Sequence, residues 1–106
     1  NNVNLIFKRK DINGEYCRII HSTNEKYDVI IIDGRDRVNC FKQSIKALSI
    51  KGIIILDDTH REKYQSVFGL SKEIGFKTLS IEGMKASSSG IFRTTIFYKK
   101  GNCLNI

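Results

Sequence analysis

Two short stretches, Val29-Ile30-Ile31-Ile32 and Ile53-Ile54-Ile55-Leu56, contain nothing but branched aliphatic side chains. Successive side chains of a strand point to opposite faces, so a strand with one wet face alternates apolar and polar residues. An unbroken run predicts instead a strand covered on both faces, as in a parallel sheet between helical layers. Each run stops abruptly in polar residues, Asp33-Gly34 after the first and Asp57-Asp58 after the second.

Between the runs, Val38, Phe41, Ile45 and Leu48 recur at the spacing of one helix face, and Gly52 interrupts just before the second strand. Strand, helix and strand at this distance form a βαβ unit with a right-handed crossover. A second helix is expected over residues 62–74, with Tyr64, Val67, Leu70 and Ile74 inward and Gly75 in the left-handed position that ends it. A shorter one over residues 15–22, entered through Asn13-Gly14, carries Tyr16, Ile19 and Ile20. Residues 3–7 read as a weaker first strand. Phe76 with Thr78 to Ile81, then Phe92–Tyr98, read as two strands able to pair antiparallel across the loop at 82–90. The pattern is α/β, built around a mostly parallel sheet with an antiparallel C-terminal strand pair.

A length of 106 residues allows one domain, here residues 1–106, or a part of one. No apolar run approaches the roughly 20 residues needed to cross a bilayer, and no secretion signal is visible. Cys17, Cys40 and Cys103 are odd in number and lie far apart, so they form neither a zinc knuckle nor a redox pair. Reduced cysteines of this kind suit a cytoplasmic protein. The net charge of +7 leaves nucleic acid open as a partner, but the basic residues are scattered. Lys8-Arg9-Lys10 is the one run of three, and no aromatic residues interleave with it.

In an open α/β sheet, ligands bind beyond the carboxyl ends of the strands. Asp33, Asp57 and Asp58 fall at such ends. Three convergent carboxylates can bind a divalent cation such as magnesium, act as a general base, or accept hydrogen bonds from a polar substrate. Each can equally shape a turn, and Asp58 can cap the helix that follows. Arg35 and Arg37 can fork onto a carboxylate or phosphate, or neutralise Asp33 and Asp36. His60 is a candidate acid or base. Tyr16, Tyr27 and Tyr64 read as residues at the edge of the core.

Tyr27-Asp28-Val29-Ile30-Ile31-Ile32-Asp33-Gly34 resembles the fourth-strand motif of class I S-adenosylmethionine-dependent methyltransferases. Ala47-Leu48-Ser49-Ile50-Lys51-Gly52 and the following run to Asp57-Asp58 resemble the helix end and fifth strand, although only Gly52 remains of the usual Pro-Gly-Gly. The motif layout is most similar to the catechol O-methyltransferase-like branch. The resemblance implies a Rossmann-like fold entered at its third strand, so that the chain is the C-terminal part of a methyltransferase domain without the first two strands. It implies methyl transfer to an unknown acceptor, with Asp33 or His60 removing the acceptor proton. Asp11, Asp33 and Gly34 would contact the cofactor, and Asp33, Asp57 and Asp58 would hold the metal. No Gly-x-Gly turn is present, so the chain alone is expected to be inactive. The missing strands would leave open sheet edges, which favour a homo-oligomer. The competing readings are a non-catalytic, self-associating α/β module and a basic RNA-associated module.

Overall fold

The computed structural model describes residues 3–83 and 90–106. Helix α1, Glu15–Arg18, continues as a 3-10 turn over Ile19–Thr23. Strand β1 is Tyr27–Ile32, α2 is Arg37–Lys46 and β2 is Leu48–Leu56. A 3-10 turn at Glu62–Tyr64 leads into α3, Gln65–Glu73, followed by β3, Lys77–Gly83, and β4, Phe92–Tyr98. The strands form one sheet in the order β1-β2-β4-β3. β1 and β2 are parallel, and β4 runs antiparallel to both β2 and β3. The α/β class and the antiparallel C-terminal pair are therefore present, and the loop expected over 82–90 lies largely outside the described residues.

Register explains the core. Ile30 sits opposite Ile54 and Ile32 opposite Leu56; Ile54 and Leu56 in turn face Phe97 and Thr95 on β4. These side chains share one face of the sheet, and all are buried. Phe41 of α2 and Val67 of α3 pack onto that face, both without exposed surface. The Phe97 ring meets Phe41 edge-on at 4.8 Å and Phe68 at 5.5 Å. At about 25 cal/mol per Å², burial of these rings is the main stabilising contribution.

The opposite face is different. Val29 and Ile31 on β1, with Leu79 and Ile81 on β3, remain 45%, 67%, 44% and 57% exposed. The expectation of cover on both faces thus holds for β2, where the neighbours Ile53 and Ile54 are 1% and 0% exposed, and for one face of β1. The expected strand at residues 3–7 is also absent: these residues take no regular structure, and Leu5 and Phe7 are 95% and 88% exposed. Strand propensity needs a ladder of hydrogen bonds to act on, and this segment joins none of the sheet's strand pairings.

Two boundaries moved. Leu48, expected on the helix, is the first residue of β2, and Gly52 lies inside that strand. The β1–β2 pairing jumps there from Tyr27 opposite Leu48 to Val29 opposite Ile53, so β2 carries an irregular stretch that β1 lacks. Gly75 ends α3 as expected, with φ of 92° and its N–H on the Lys72 carbonyl at 3.1 Å.

Candidate functional site

Parallel pairing in register brings the carboxyl ends of β1 and β2 together, with Ile32 opposite Leu56. The Asp57 N–H adds one more bond, to the Ile32 carbonyl at 3.2 Å. Arg37, the first residue of α2, folds back over this junction. Its Nε donates to the Gly34 carbonyl at 2.8 Å, and its Nη1 donates to the Asp57 carbonyl at 2.8 Å and to Asp58 Oδ2 at 3.3 Å. Nη2 makes a longer contact of 3.5 Å with Asp33 Oδ1. The Arg37 and Asp58 side chains are each only 11% exposed, so this ion pair is largely withdrawn from water. The rigid fork of a guanidinium suits such a set of acceptors, which a lysine could not span.

The expected metal site finds no support in this geometry. Asp33, Asp57 and Asp58 do approach one another, but no group of carboxylates, histidines or cysteines able to hold a metal ion occurs among the described residues. A cation is already present as Arg37. Asp57 Oδ1 is further engaged by the Thr94 hydroxyl at 2.6 Å, and Arg61 lies 3.9 Å from Asp58. Asp58 does not cap a helix by its side chain: it takes a left-handed turn, φ 60°, and its carbonyl accepts the Arg61 N–H at 3.1 Å. The turn is fixed from below by buried Thr59, whose hydroxyl lies 2.7 Å from that of Thr95.

Asp33 and Gly34 have a different setting. Both line an open cleft of about 590 Å³ together with Ile30, Ile31 and Ile32 of β1 and Leu5, Ile6 and Phe7. Its walls are mainly apolar, and its volume falls in the range of small-molecule sites. The Asp33 side chain is 64% exposed. Tyr16 closes one side, with its hydroxyl accepting the Arg35 N–H at 3.3 Å. A Cβ on residue 34 would lie 2.5 Å from that hydroxyl, so any larger residue there must displace the Tyr16 ring. Reading Tyr16 as a core-edge residue missed this position.

Two other candidates lie elsewhere. Asp11 faces α1 and accepts the backbone N–H groups of Glu15 at 3.0 Å and Tyr16 at 3.2 Å, a capping arrangement that favours an anion at a helix start. It does not line the cleft beside Asp33. His60 Nδ1 accepts the Arg93 N–H at 3.3 Å, and its ring meets Phe92 edge-on at 4.9 Å. With the Nδ1 lone pair occupied, a neutral His60 carries its proton on Nε2.

Cys17 and Cys40 also line the cleft. Burial pushes the Cys40 thiol up to about 11, with Cys17 and Asp36 adding to the effect, and burial likewise raises Cys17. Both remain thiols at neutral pH, which makes them apolar wall rather than nucleophiles.

The fold class defined by this arrangement is a partial Rossmann-like sheet: one parallel pair ending in acidic residues, followed by an antiparallel pair with the last strand inserted. Among solved structures, a precorrin-6y C5,15-methyltransferase from Geobacter metallireducens is similar, with a TM-score of 0.53 and 11% sequence identity. The likeness covers 71% of this chain and 46% of that enzyme, so the chain spans less than half the length of its structural neighbour. No protein-family profile matches the sequence, and no curated protein matches it. No helix among the described residues is long and apolar enough to cross a membrane.

Proposed function

We propose that this chain carries part of an S-adenosylmethionine-dependent methyl-transfer site, centred on the carboxyl end of β1. One observation carries the reading: Asp33 and Gly34, directly after the carboxyl end of β1, line an apolar cleft in a sheet whose fold is similar to that of a methyltransferase. The cleft has the size for an adenosyl group, and the exposed Asp33 carboxylate has acceptor capacity for ligand N–H or O–H groups. When bound, S-adenosylmethionine supplies an electrophilic methyl carbon. The chain's own part is to position the acceptor, and Asp33 is the group placed to take its proton. The catechol O-methyltransferase-like assignment rests on motif layout alone, and the acceptor is unspecified.

The chain has no glycine-rich turn to grip the cofactor, so binding to the chain alone should be weak, roughly millimolar or poorer. Titration with S-adenosylmethionine followed by amide NMR should move the signals of residues 32–35 first. Gly34→Val, which drives a side chain into the Tyr16 hydroxyl, should abolish those shifts. Tight stoichiometric binding would mean that the grip lies in a different part of this chain. Shifts confined to other residues, or none at all, would remove the proposal.

A further inference from the structure

We propose that the end of the sheet opposite the acidic strand ends is a docking surface for double-stranded RNA, held through its phosphates by a row of lysines. β1, β2 and β3 all start at this end, and β4 finishes there. Each strand brings a lysine to it. Lys26 directly precedes β1, Lys46 and Lys51 flank the start of β2, Lys99 and Lys100 directly follow β4, and Lys77 is the first residue of β3. In the sheet order β1-β2-β4-β3 these positions form one row, about 14 Å long at the usual strand spacing. Basic residues that are scattered in the sequence are gathered by the fold.

All six lysines are exposed, and none takes part in an ion pair among the described residues. Lys26 Nζ donates to the Lys46 carbonyl, and Lys99 Nζ lies 4.9 Å from the centre of the Phe76 ring, so neither charge is neutralised. A groove of about 440 Å³ opens at this end, lined by Lys99, Lys100 and mainly apolar residues, with no carboxylate in its walls. The carboxylates nearest along the chain are Glu25, Asp28 and Glu73, and Asp28 already accepts the Ser49 hydroxyl. Lys46 has a local explanation, as has Lys72 in α3, because a cation is favourable at a helix C-terminus. The lysines at the ends of β1, β3 and β4 have none. A row of like charges that the fold does not use is the footprint of an anionic partner.

The contact chemistry selects the partner. Lysine meets phosphate as a point charge, which gives affinity without reading sequence. A single strand needs exposed aromatic rings to stack on, and the one aromatic lining the groove, Phe76, is buried beneath Lys99. A lipid surface needs several protruding apolar residues, and Ile50 is the one exposed apolar residue in the groove wall. B-form DNA is entered by a helix or ribbon laid in its major groove, whereas this end presents strand ends and helix C-termini. An A-form duplex has a deep, narrow major groove, whose facing phosphate rows a line of lysines can bridge from outside. None of the six lysines lines the cleft beside Asp33, so the surface is independent of the methyl-transfer reading.

Fluorescence anisotropy with a labelled RNA duplex of about 20 base pairs tests this. Binding is expected at roughly micromolar Kd in about 50 mM salt, with log K falling against log salt at a slope of about −4. Lys99→Gln with Lys100→Gln should weaken binding at least about tenfold and reduce the slope by about two. Lys51→Gln with Lys77→Gln should do the same, and since these side chains are exposed the thermal midpoint should hold. Arg9→Gln with Lys10→Gln removes the same charge elsewhere and should change affinity less than about threefold. Ile50→Ser should leave it unchanged. Equal losses from the two regions would mean that net charge alone drives binding, and would overturn the proposal. A DNA duplex or a single-stranded RNA bound more tightly than the RNA duplex would overturn it too. So would binding to phosphatidylserine vesicles that Ile50→Ser abolishes, without binding to duplex RNA, which would assign the surface to a membrane. Absence of duplex binding at about 100 µM chain would end it outright.

Discussion

The two faces of the sheet are made by alternate residues of the same strands, yet they meet opposite fates. Ile30, Ile32, Ile54, Leu56 and Phe97 are buried beneath α2 and α3, while on the other side Val29, Ile31, Leu79 and Ile81 of the two edge strands stay open to water and Ile53 of β2 is buried. Side-chain chemistry does not distinguish the two sets, since isoleucine occurs in both. What differs is whether a helical layer is present to cover them. An apolar run reports how much cover a strand can use, and the rest of the chain decides how much it receives.

The contrast is sharpest in mutational cost. Phe97→Ala removes a ring that touches Phe41 and Phe68 in a fully buried position, and it should lower stability by about 3–5 kcal/mol. Ile31→Thr, on the open face, should change it by less than about 0.5 kcal/mol. Chemical denaturation of both variants checks the pair. Equal losses would mean that the second face is covered in solution, and would point to a partner.

The ends of the strands divide in the same way, into a closed side and an open one. Arg37→Ala removes the guanidinium from buried Asp58 and three of its bonds to the strand ends, so it should cost about 2–3 kcal/mol. Asp33→Asn, exposed at the cleft mouth, should leave the midpoint within about 0.5 kcal/mol of the parent. A large loss from the Asp33 change would show that Arg37 relies on that carboxylate and that its role is structural.

The smallest expected effect concerns Cys40. Its folded-state value, raised from 9.0 to about 11, means that the unfolded chain loses the thiol proton first as pH rises. The unfolded state then binds fewer protons, and stability falls with pH. The contribution is complete below about pH 9 and is lost as pH climbs towards 11. Cys40→Ala should therefore show a shallower decline between pH 9 and 11 than the parent, compared against each protein's own value at pH 8.

Much of this was legible because it depends on local pattern. The two aliphatic runs became β1 and β2, Phe41 and Val67 landed on buried helix faces, and Gly75 took the positive φ that ends α3. What was not legible depends on partners distant in sequence. The irregular pairing that recruits Leu48 into β2 is set by β1, some twenty residues earlier. Asp57 and Thr94 meet across 37 positions, and Arg37 reaches Asp58 across 21, with no periodic signal linking them. The acidic strand ends and nearby arginines were visible as a group. That one arginine would take the place considered for a metal follows from where α2 begins, which no spacing rule specifies. The 3–7 segment shows the reverse case, in which a local preference for strand does not become a strand of the sheet.

The insertion of β4 between β2 and β3 has a kinetic meaning. The strand that comes last in sequence is the one that joins the other three, so β3 has no sheet neighbour until β4 arrives. A nascent chain that has reached Gly83 can assemble β1 and β2 but must leave β3 waiting. Formation of the sheet is thus a late, largely concerted event dominated by contacts between distant residues, which places its folding on the slow side for a chain of this length. A species interrupted at that stage presents β3 unpaired beside the uncovered edge of β2, and it is the form most exposed to aggregation.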